Sequence, residues 1–415
     1  MKKSLFAIAA VTAFAGAAQA QSSVTVYGIV DAGYIGVNNR VSAAGKTTKA
    51  TGSEFGQGAE STTRLGFRGN EDLGGGMSAF FTLEMALAMN GTNTLGSAGN
   101  SNRQSFVGIG SKGLGRASFG TQYTTAFELA AATSPGQLNN IVGDVIYGQQ
   151  SNVAPAVVPS STTTLTNANS SSGSDVGFTV RTANMLKLAS DRMAGVQATG
   201  FYFMDNADSA QSAVATATER KGGTDNRNGW GLGANYTVGK FYAGATYQAL
   251  AAKNPYAPAA AATSATTLPT AATGAPQLFG SSNNTGSNIQ DNQWLVGATY
   301  DFGILKAYAQ YVNRKATDIR NSSVYGSRTA QQIGVRGNFT PKIEGWASGG
   351  TGRYATFGTN SPTANFNGWQ VGSNYILSKR TNLYAIYGQA ITSSVSGNGN
   401  TAGTSNYALG LRHTF

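Results

Sequence analysis

The feature that most constrains this chain is a period-two alternation in which one set of residues carries the aromatics and the other is mostly small and polar. From Gln293 to Phe302 one set reads Trp294, Val296, Ala298, Tyr300, Phe302 and the other Gln293, Leu295, Gly297, Thr299, Asp301. Trp230, Leu232, Ala234, Tyr236 and Val238 repeat the pattern against Gly231, Gly233, Asn235 and Thr237. Phe241, Ala243, Ala245, Tyr247 and Ala249 do so against Gly244, Thr246 and Gln248. The last segment sets Tyr407, Leu409, Leu411, His413 and Phe415 against Ala408, Gly410, Arg412 and Thr414. In a strand such sets lie on opposite faces. A small polar set is wrong for a packed protein core and right for a wet interior, while an apolar set with aromatics near the strand ends suits lipid. A soluble β-sandwich or propeller would also alternate, with the greasy face inward, so alternation alone leaves that choice open.

Sixteen segments read as strands, near 24–38, 60–70, 77–90, 102–110, 117–124, 177–190, 196–205, 229–238, 240–250, 291–302, 304–314, 328–339, 342–356, 366–377, 381–391 and 404–415. Their connections alternate in length. Tight ones fall at 70–76, 111–116, 191–195, 239, 303, 340–341 and 378–380. Long ones fall at 39–59, 91–101, 125–176, 206–228, 251–290, 315–327, 357–365 and 392–403. Strands of about ten residues with short turns on one side and long loops on the other predict an all-β, antiparallel transmembrane β-barrel. An even strand number brings both ends to the short-turn, periplasmic side. Closure leaves no unpaired edge in lipid, where each unmet backbone group costs several kcal/mol. Two long loops are low in complexity, Ser160 to Ser174 in Ser, Thr and Asn and Ala257 to Pro276 in Ala, Thr and Pro, and both are expected as mobile surface segments.

The first twenty residues agree with export. Lys2 and Lys3 precede an apolar stretch from Leu5 to Ala18, and Ala18-Gln19-Ala20 is a small-x-small cleavage site. The expected division is a cleaved signal peptide over 1–20 and one barrel domain over 21–415. An uncleaved anchor is the alternative, but the stretch is too short for a bilayer core of about 30 Å. There is no cysteine, so disulfides and thiolate metal sites are excluded. The formal net charge is +11, of which Lys2 and Lys3 supply two units, yet the basic residues are scattered singly rather than in the runs of a nucleic-acid arm.

Enzymatic chemistry finds little to work with. His413 is the only histidine, and its parity puts it on the outward face, so Ser-His-Asp or Cys-His catalysis lacks a base and histidine-rich metal sites are excluded. Gly108-Ile109-Gly110-Ser111-Lys112-Gly113 lacks the spacing of a phosphate loop and reads as a turn, as does Gly74-Gly75-Gly76. No cofactor or metal is expected. Some charges, by contrast, carry the inward parity. Arg64 and Arg68 alternate with Leu65 and Phe67, Arg103 shares the parity of Ser105 and opposes Phe106, and Arg181 with Lys187 opposes Phe178 and Val180. A charge facing hydrocarbon at mid-height would cost about 2–4 kcal/mol, which favours the lumen for all of them. Glu84, also inward, lies across a hairpin from Arg64; a purely structural ion pair between the two is the alternative to a role in the wet interior.

Several motifs together resemble the trimeric general porins of Gram-negative outer membranes, in particular their betaproteobacterial branch. They are Val24-Thr25-Val26-Tyr27-Gly28 with Asp31, Arg64-Leu65-Gly66-Phe67-Arg68-Gly69 running into Glu71-Asp72-Leu73-Gly74, Arg103-Gln104-Ser105-Phe106-Val107-Gly108, and the ending Gly410-Leu411-Arg412-His413-Thr414-Phe415. The resemblance implies a sixteen-stranded barrel, assembled as a homotrimer in outer-membrane lipid and lipopolysaccharide, that conducts ions and small hydrophilic solutes. It implies that the third long loop, after Tyr123, folds into the lumen with Glu128 and Asp144 as its acids. Basic residues on the facing wall would be Arg64, Arg103, Arg40 and Arg181, and parity puts Lys187 further down the face of Arg181. Tyr407 and Phe415 would form the signal to the barrel-assembly machinery. The 125–176 loop, with its Ser/Thr-rich tract and few acids, departs from the pattern. The basic total predicts a mild preference for anions. A channel specific for sugars or organic acids, and a non-channel barrel acting as adhesin or hydrolase, are the alternatives.

Overall fold

A computed structural model describes residues 23–43, 45–89, 102–147, 177–211, 221–253, 289–319, 322, 325–356, 363–392 and 401–415. The expected export signal and both low-complexity tracts lie outside the described residues. The wall starts at β1 (Ser23–Ala43), whose lower part pairs with β3 (Arg64–Gly74) from Ser23 with Asn70 to Ile29 with Arg64. Its upper part pairs with β2 (Lys46–Gln57) from Ala32 with Gln57 to Ala43 with Lys46. β2 and β3 therefore share one place in the wall, interrupted over 58–63. Then follow β4 (Met77–Ala86), β5 (Asn102–Ser111), β6 (Gly115–Tyr123), the helix α1 (Thr125–Thr133), β7 (Arg181–Ser190), β8 (Val196–Gln211), β9 (Lys221–Val238) and β10 (Phe241–Lys253). The wall continues through β11 (Ile289–Asp301), β12 (Lys306–Asp318), β13 (Tyr325–Thr340), β14 (Ile343–Thr356), β15 (Thr363–Ser378), β16 (Thr381–Thr392) and β17 (Thr401–Thr414). Neighbours pair antiparallel throughout, and β17 returns to β1 from Ile29 with Thr414 to Ser42 with Thr401. Seventeen segments thus fill sixteen places of a closed barrel, as expected.

The parity holds in three dimensions. On β11, Trp294 and Val296 are 37% and 38% exposed on the outer face, whereas Gln293 and Thr299 are buried inside. Several of the tight connections turn on backbone geometry that only glycine takes without strain. Gly303 has φ +95° and its N–H is accepted by Asp301 Oδ1 at 2.7 Å; Gly74, at φ +80°, repeats the device with Asp72 at 2.8 Å.

The structure corrects several expected boundaries. The segment expected as a long loop at 39–59 is mostly a hairpin: β1 runs on to Ala43, turns at Gly45 (φ +76°), and returns as β2. Its Thr-rich polar residues pair strand to strand where no hydrophobic alternation signals it. β8 and β9 likewise extend into the expected 206–228 loop, and β12 and β13 into 315–327. In the other direction, β7 starts at Arg181 rather than at 177, because residues 177–180 pack against the inward loop; Val180 O accepts a hydrogen bond from Thr124 N at 2.9 Å.

The apolar core lies not at the barrel axis but between the third loop and one side of the wall. Ala126, Leu129, Ala130, Val145, Ile146 and Phe178 of the loop and its return pack on Leu295, Val312, Ala330, Tyr354 and Phe366. Leu295, which alternates with Trp294 in the otherwise polar set, is fully buried beneath α1. Burying such a side chain contributes about 1.5–3 kcal/mol, which favours holding the loop inside the barrel.

Candidate pore constriction

The loop enters the lumen directly from β6. Thr124 caps α1, its Oγ1 accepting from Phe127 N at 3.3 Å while donating to Thr179 O at 2.6 Å. The helix then lies across the inner faces of β9 to β12, with Thr125, Ala126, Leu129, Ala130 and Thr133 buried. Further along, Asn140 reaches the break between β2 and β3. Its N–H donates to Ala59 O at 2.9 Å and its Nδ2 to Gly58 O at 2.6 Å. Asp31 shapes that break: its Oδ2 accepts from Glu60 N at 3.0 Å and Ser61 N at 2.6 Å, and its Oδ1 accepts from Tyr384 Oη at 2.6 Å.

The loop thus packs mainly on the β9–β16 side of the lumen and touches the β3–β7 side through Phe127 and Glu128. Four of the expected basic residues meet there. Arg103 Nε donates to Glu84 Oε1 at 2.7 Å and its Nη2 to Tyr123 Oη at 2.8 Å. Arg64 Nη1 stands 3.7 Å from the same carboxylate oxygen, while Arg64 Nε donates to Thr62 O at 3.0 Å. Lys187 Nζ donates to Glu128 Oε1 at 2.5 Å and to Tyr123 O at 2.9 Å. The Arg181 guanidinium lies 5.6 Å from the centre of the Tyr123 ring, and among the described residues its Nε and Nη1 have no hydrogen-bond partner. Tyr123, which in turn stacks on Phe127 at 4.1 Å, is the hub of the cluster. Sequence reading missed it because a tyrosine at a strand end reads as a lipid anchor.

Arg103 arrives by a route other than the expected one. Phe106 pairs with Thr82 and faces inward beside Phe80, whereas Val107 and Ile109 are exposed on the outer face, so Ser105 and its parity belong outside. A bulge opposite Glu84 and Met85 leaves Arg103 as the extra residue and turns it inward.

Two expected constriction residues stand elsewhere. Arg40 sits in an unbroken register, paired with Gly403 and Lys49, which gives it the outward face of Tyr34. Asp144 is buried and spent within the loop, its Oδ1 accepting from Ile146 N at 2.8 Å and Tyr147 N at 3.0 Å, its Oδ2 accepting from Ser134 Oγ at 3.0 Å. Tyr407 and Phe415 are exposed on the outer face of the last strand.

The cations on the loop-covered side were not anticipated, although their alternation on β12 and β13 carries the signal. Arg314 pairs with Asp291 at 2.7 Å, and Arg336 with Glu344 at 2.6 Å. Arg328 donates to Val145 O and lies 4.7 Å from the Phe366 ring centre. On the β3–β7 side Arg64, Arg103, Arg181 and Lys187 stand against Glu84 and Glu128, with Arg103, Lys187 and Glu84 buried.

Comparison with known proteins agrees with this architecture. A family model described as Gram-negative porin matches residues 7–394. An outer membrane porin protein of Bordetella pertussis is 27% identical over 93% of this chain and 93% of its own length. Outer membrane porin protein 32 of Delftia acidovorans is 44% identical over 33% of this chain and 38% of its own. Among solved structures, an anion-selective porin from Comamonas acidovorans superposes with a TM-score of 0.61 at 20% identity, covering 95% of this chain and all of that one. A closed sixteen-place barrel, an inward third loop and a family match over nearly the whole length lead to one conclusion: this chain belongs to the Gram-negative porins, the diffusion channels of the outer membrane.

Proposed function

We propose that the barrel is a passive pore with a mild preference for anions, and that Arg64, Arg103, Arg181 and Lys187 with Glu84 and Glu128 form its selectivity element. The observation that carries this is the unequal count of charges in the cluster on β3 to β7 and the start of the loop, four cations against two carboxylates. A charged group lining a narrow aqueous path biases the ion that passes, because the low-dielectric wall focuses its field. The relative from Comamonas acidovorans, described as anion-selective, is consistent with it. Reversal potentials of the purified protein in a KCl gradient test the reading: the expected sign is that of chloride, and a potassium-selective potential overturns it.

The rest of the functional unit follows the same reading. The barrel domain is taken to span 21–415 after removal of 1–20, and to assemble as a homotrimer in lipid and lipopolysaccharide after delivery to the barrel-assembly machinery through Tyr407 and Phe415. A trimer among the similar solved structures, that of OmpT from Vibrio cholerae, supports the assembly state. The chain is a channel and not an enzyme; its single histidine, His413, is engaged by Thr381 Oγ1 at 2.9 Å at the edge of the last hairpin. A channel that binds organic acids is the second reading, favoured by the gathering of Arg64, Arg103, Arg181 and Lys187 in one cluster. It predicts saturable block of the current by a small carboxylate, which a general pore does not show.

A further inference from the structure

The inner wall beneath the third loop carries a transverse row that neither the charges nor the fold requires. Cross-strand pairing runs Gly244, Gly297, Gln310, Gln332, Gly350, Gly368 across six consecutive strands, β10 to β15. Glycine inside a strand weakens it, so four in one row call for a local reason, and close approach of another backbone is the usual one. Here the third loop lies on the row. A Cβ built on Gly244 would meet Leu129 Cδ1 at 2.7 Å; one on Gly297 would meet Thr133 Oγ1 at 2.5 Å and its Cβ at 2.9 Å. A Cβ on Gly368 would meet the carbonyl oxygen of Gly143 at 2.8 Å, and one on Gly350 would collide with Val145. The two glutamines of the row hold the same loop: Gln310 Nε2 donates to Ala130 O at 3.1 Å and Thr133 Oγ1 at 2.8 Å, and Gln332 Oε1 accepts from Val145 N at 2.9 Å.

We propose that this row is the seat that fixes how far the third loop projects into the lumen, so that Gly244, Gly297, Gly350 and Gly368 determine the pore's cross-section without touching the permeating ion. Space and hydrogen bonds come from the same line of the wall: the glycines let the loop lie flat, and the glutamines register it lengthwise. A methyl group added under the loop lifts it towards the opposite wall, because it meets the Gly143 backbone at Gly368 and the Thr133 Cβ at Gly297 inside contact distance. The proposal rests on the chain being an open aqueous pore, and the wild-type conductance checks that separately.

The test compares single-channel conductance of folded, detergent-extracted protein in concentrated KCl for wild type, Gly297→Ala, Gly368→Ala and Gly349→Ala. Gly349 neighbours the row on β14 but faces outward, with only Trp369 Cβ at 4.0 Å from an added methyl. The expected result is a conductance lower by roughly a fifth or more in Gly297→Ala and Gly368→Ala, since a close-packed contact passes on the displacement, and none in Gly349→Ala. Replacing Thr133 by glycine in the Gly297→Ala background removes the colliding side chain and returns conductance towards wild type. Should Gly297→Ala fail to fold, rescue of the folded barrel by Thr133→Gly carries the proposal and absence of rescue overturns it. Conductance equal to wild type in both inward variants, or an equal drop in Gly349→Ala, overturns it as well. A wild type with no conductance would instead sink the pore reading.

Discussion

At Glu84 one carboxylate faces two guanidiniums, and Tyr27 Oη donates to its other oxygen at 3.1 Å. The pair expected between Glu84 and Arg64 is the looser contact, and Arg103 is the nearer partner. Arg103→Ala therefore removes a positive charge from the cluster and leaves Glu84 to Arg64 alone. The chloride-to-potassium permeability ratio is expected to fall by a factor of about two to five, the effect of a screened unit charge worth about 0.4–1 kcal/mol. Arg40→Ala is the matched control. Because Arg40 shares the outward face of Tyr34, the same measurement should return the wild-type ratio, and a comparable loss would mean that the upper hairpin folds over the lumen. In the sequence Arg103 is assigned inward by parity and Arg40 only through the family resemblance, so nothing local sets the two apart reliably. What separates them is a one-residue bulge opposite Glu84, which no local pattern announces because bulges are fixed by the partner strand.

The third loop is the element on which the pore depends. Among the described residues Gln370, on β15, is its most connected wall contact. Its Nε2 donates to Asn139 Oδ1 at 3.0 Å, Ile141 O at 3.0 Å and Val142 O at 3.2 Å, and its Oε1 accepts from Asn139 Nδ2 at 2.5 Å. Gln370→Ala strands buried acceptors, each costing about 1–3 kcal/mol. It should lower the voltage at which single channels close and raise open-channel noise, with the folded barrel still formed because the cross-strand pairing is untouched. Unchanged gating would show that the apolar contacts of Leu129, Val145 and Ile146 hold the loop unaided. Inward folding of this loop was expected only through family resemblance. Its alanine-rich start and few charges fit burial, but nothing in residues 125–147 says which wall receives them, since the receiving glycines and glutamines lie a hundred and more positions away.

Across the whole molecule, stability comes from a closed ring of strand pairs whose outer face meets hydrocarbon. A charge placed on that face at mid-height, as in Val296→Lys on β11, is expected to destabilise the barrel by about 2–4 kcal/mol. Heat-modifiable mobility on denaturing gels reads the outcome: the variant should lose the compact form at a lower temperature than wild type, and an unchanged transition would place Val296 in a wet or protein-covered site. Strand count, the period-two faces and the tight turns at glycine were all legible in the residues themselves. Each is a local property, set by backbone geometry and by which side chains tolerate lipid. Only the tertiary structure decided that β2 and β3 share one place in the wall, that Arg103 turns inward while Arg40 does not, and that Asp144 is consumed inside the loop. Those outcomes depend on contacts between segments far apart in sequence, and alternation along one strand cannot encode what lies opposite it across the lumen.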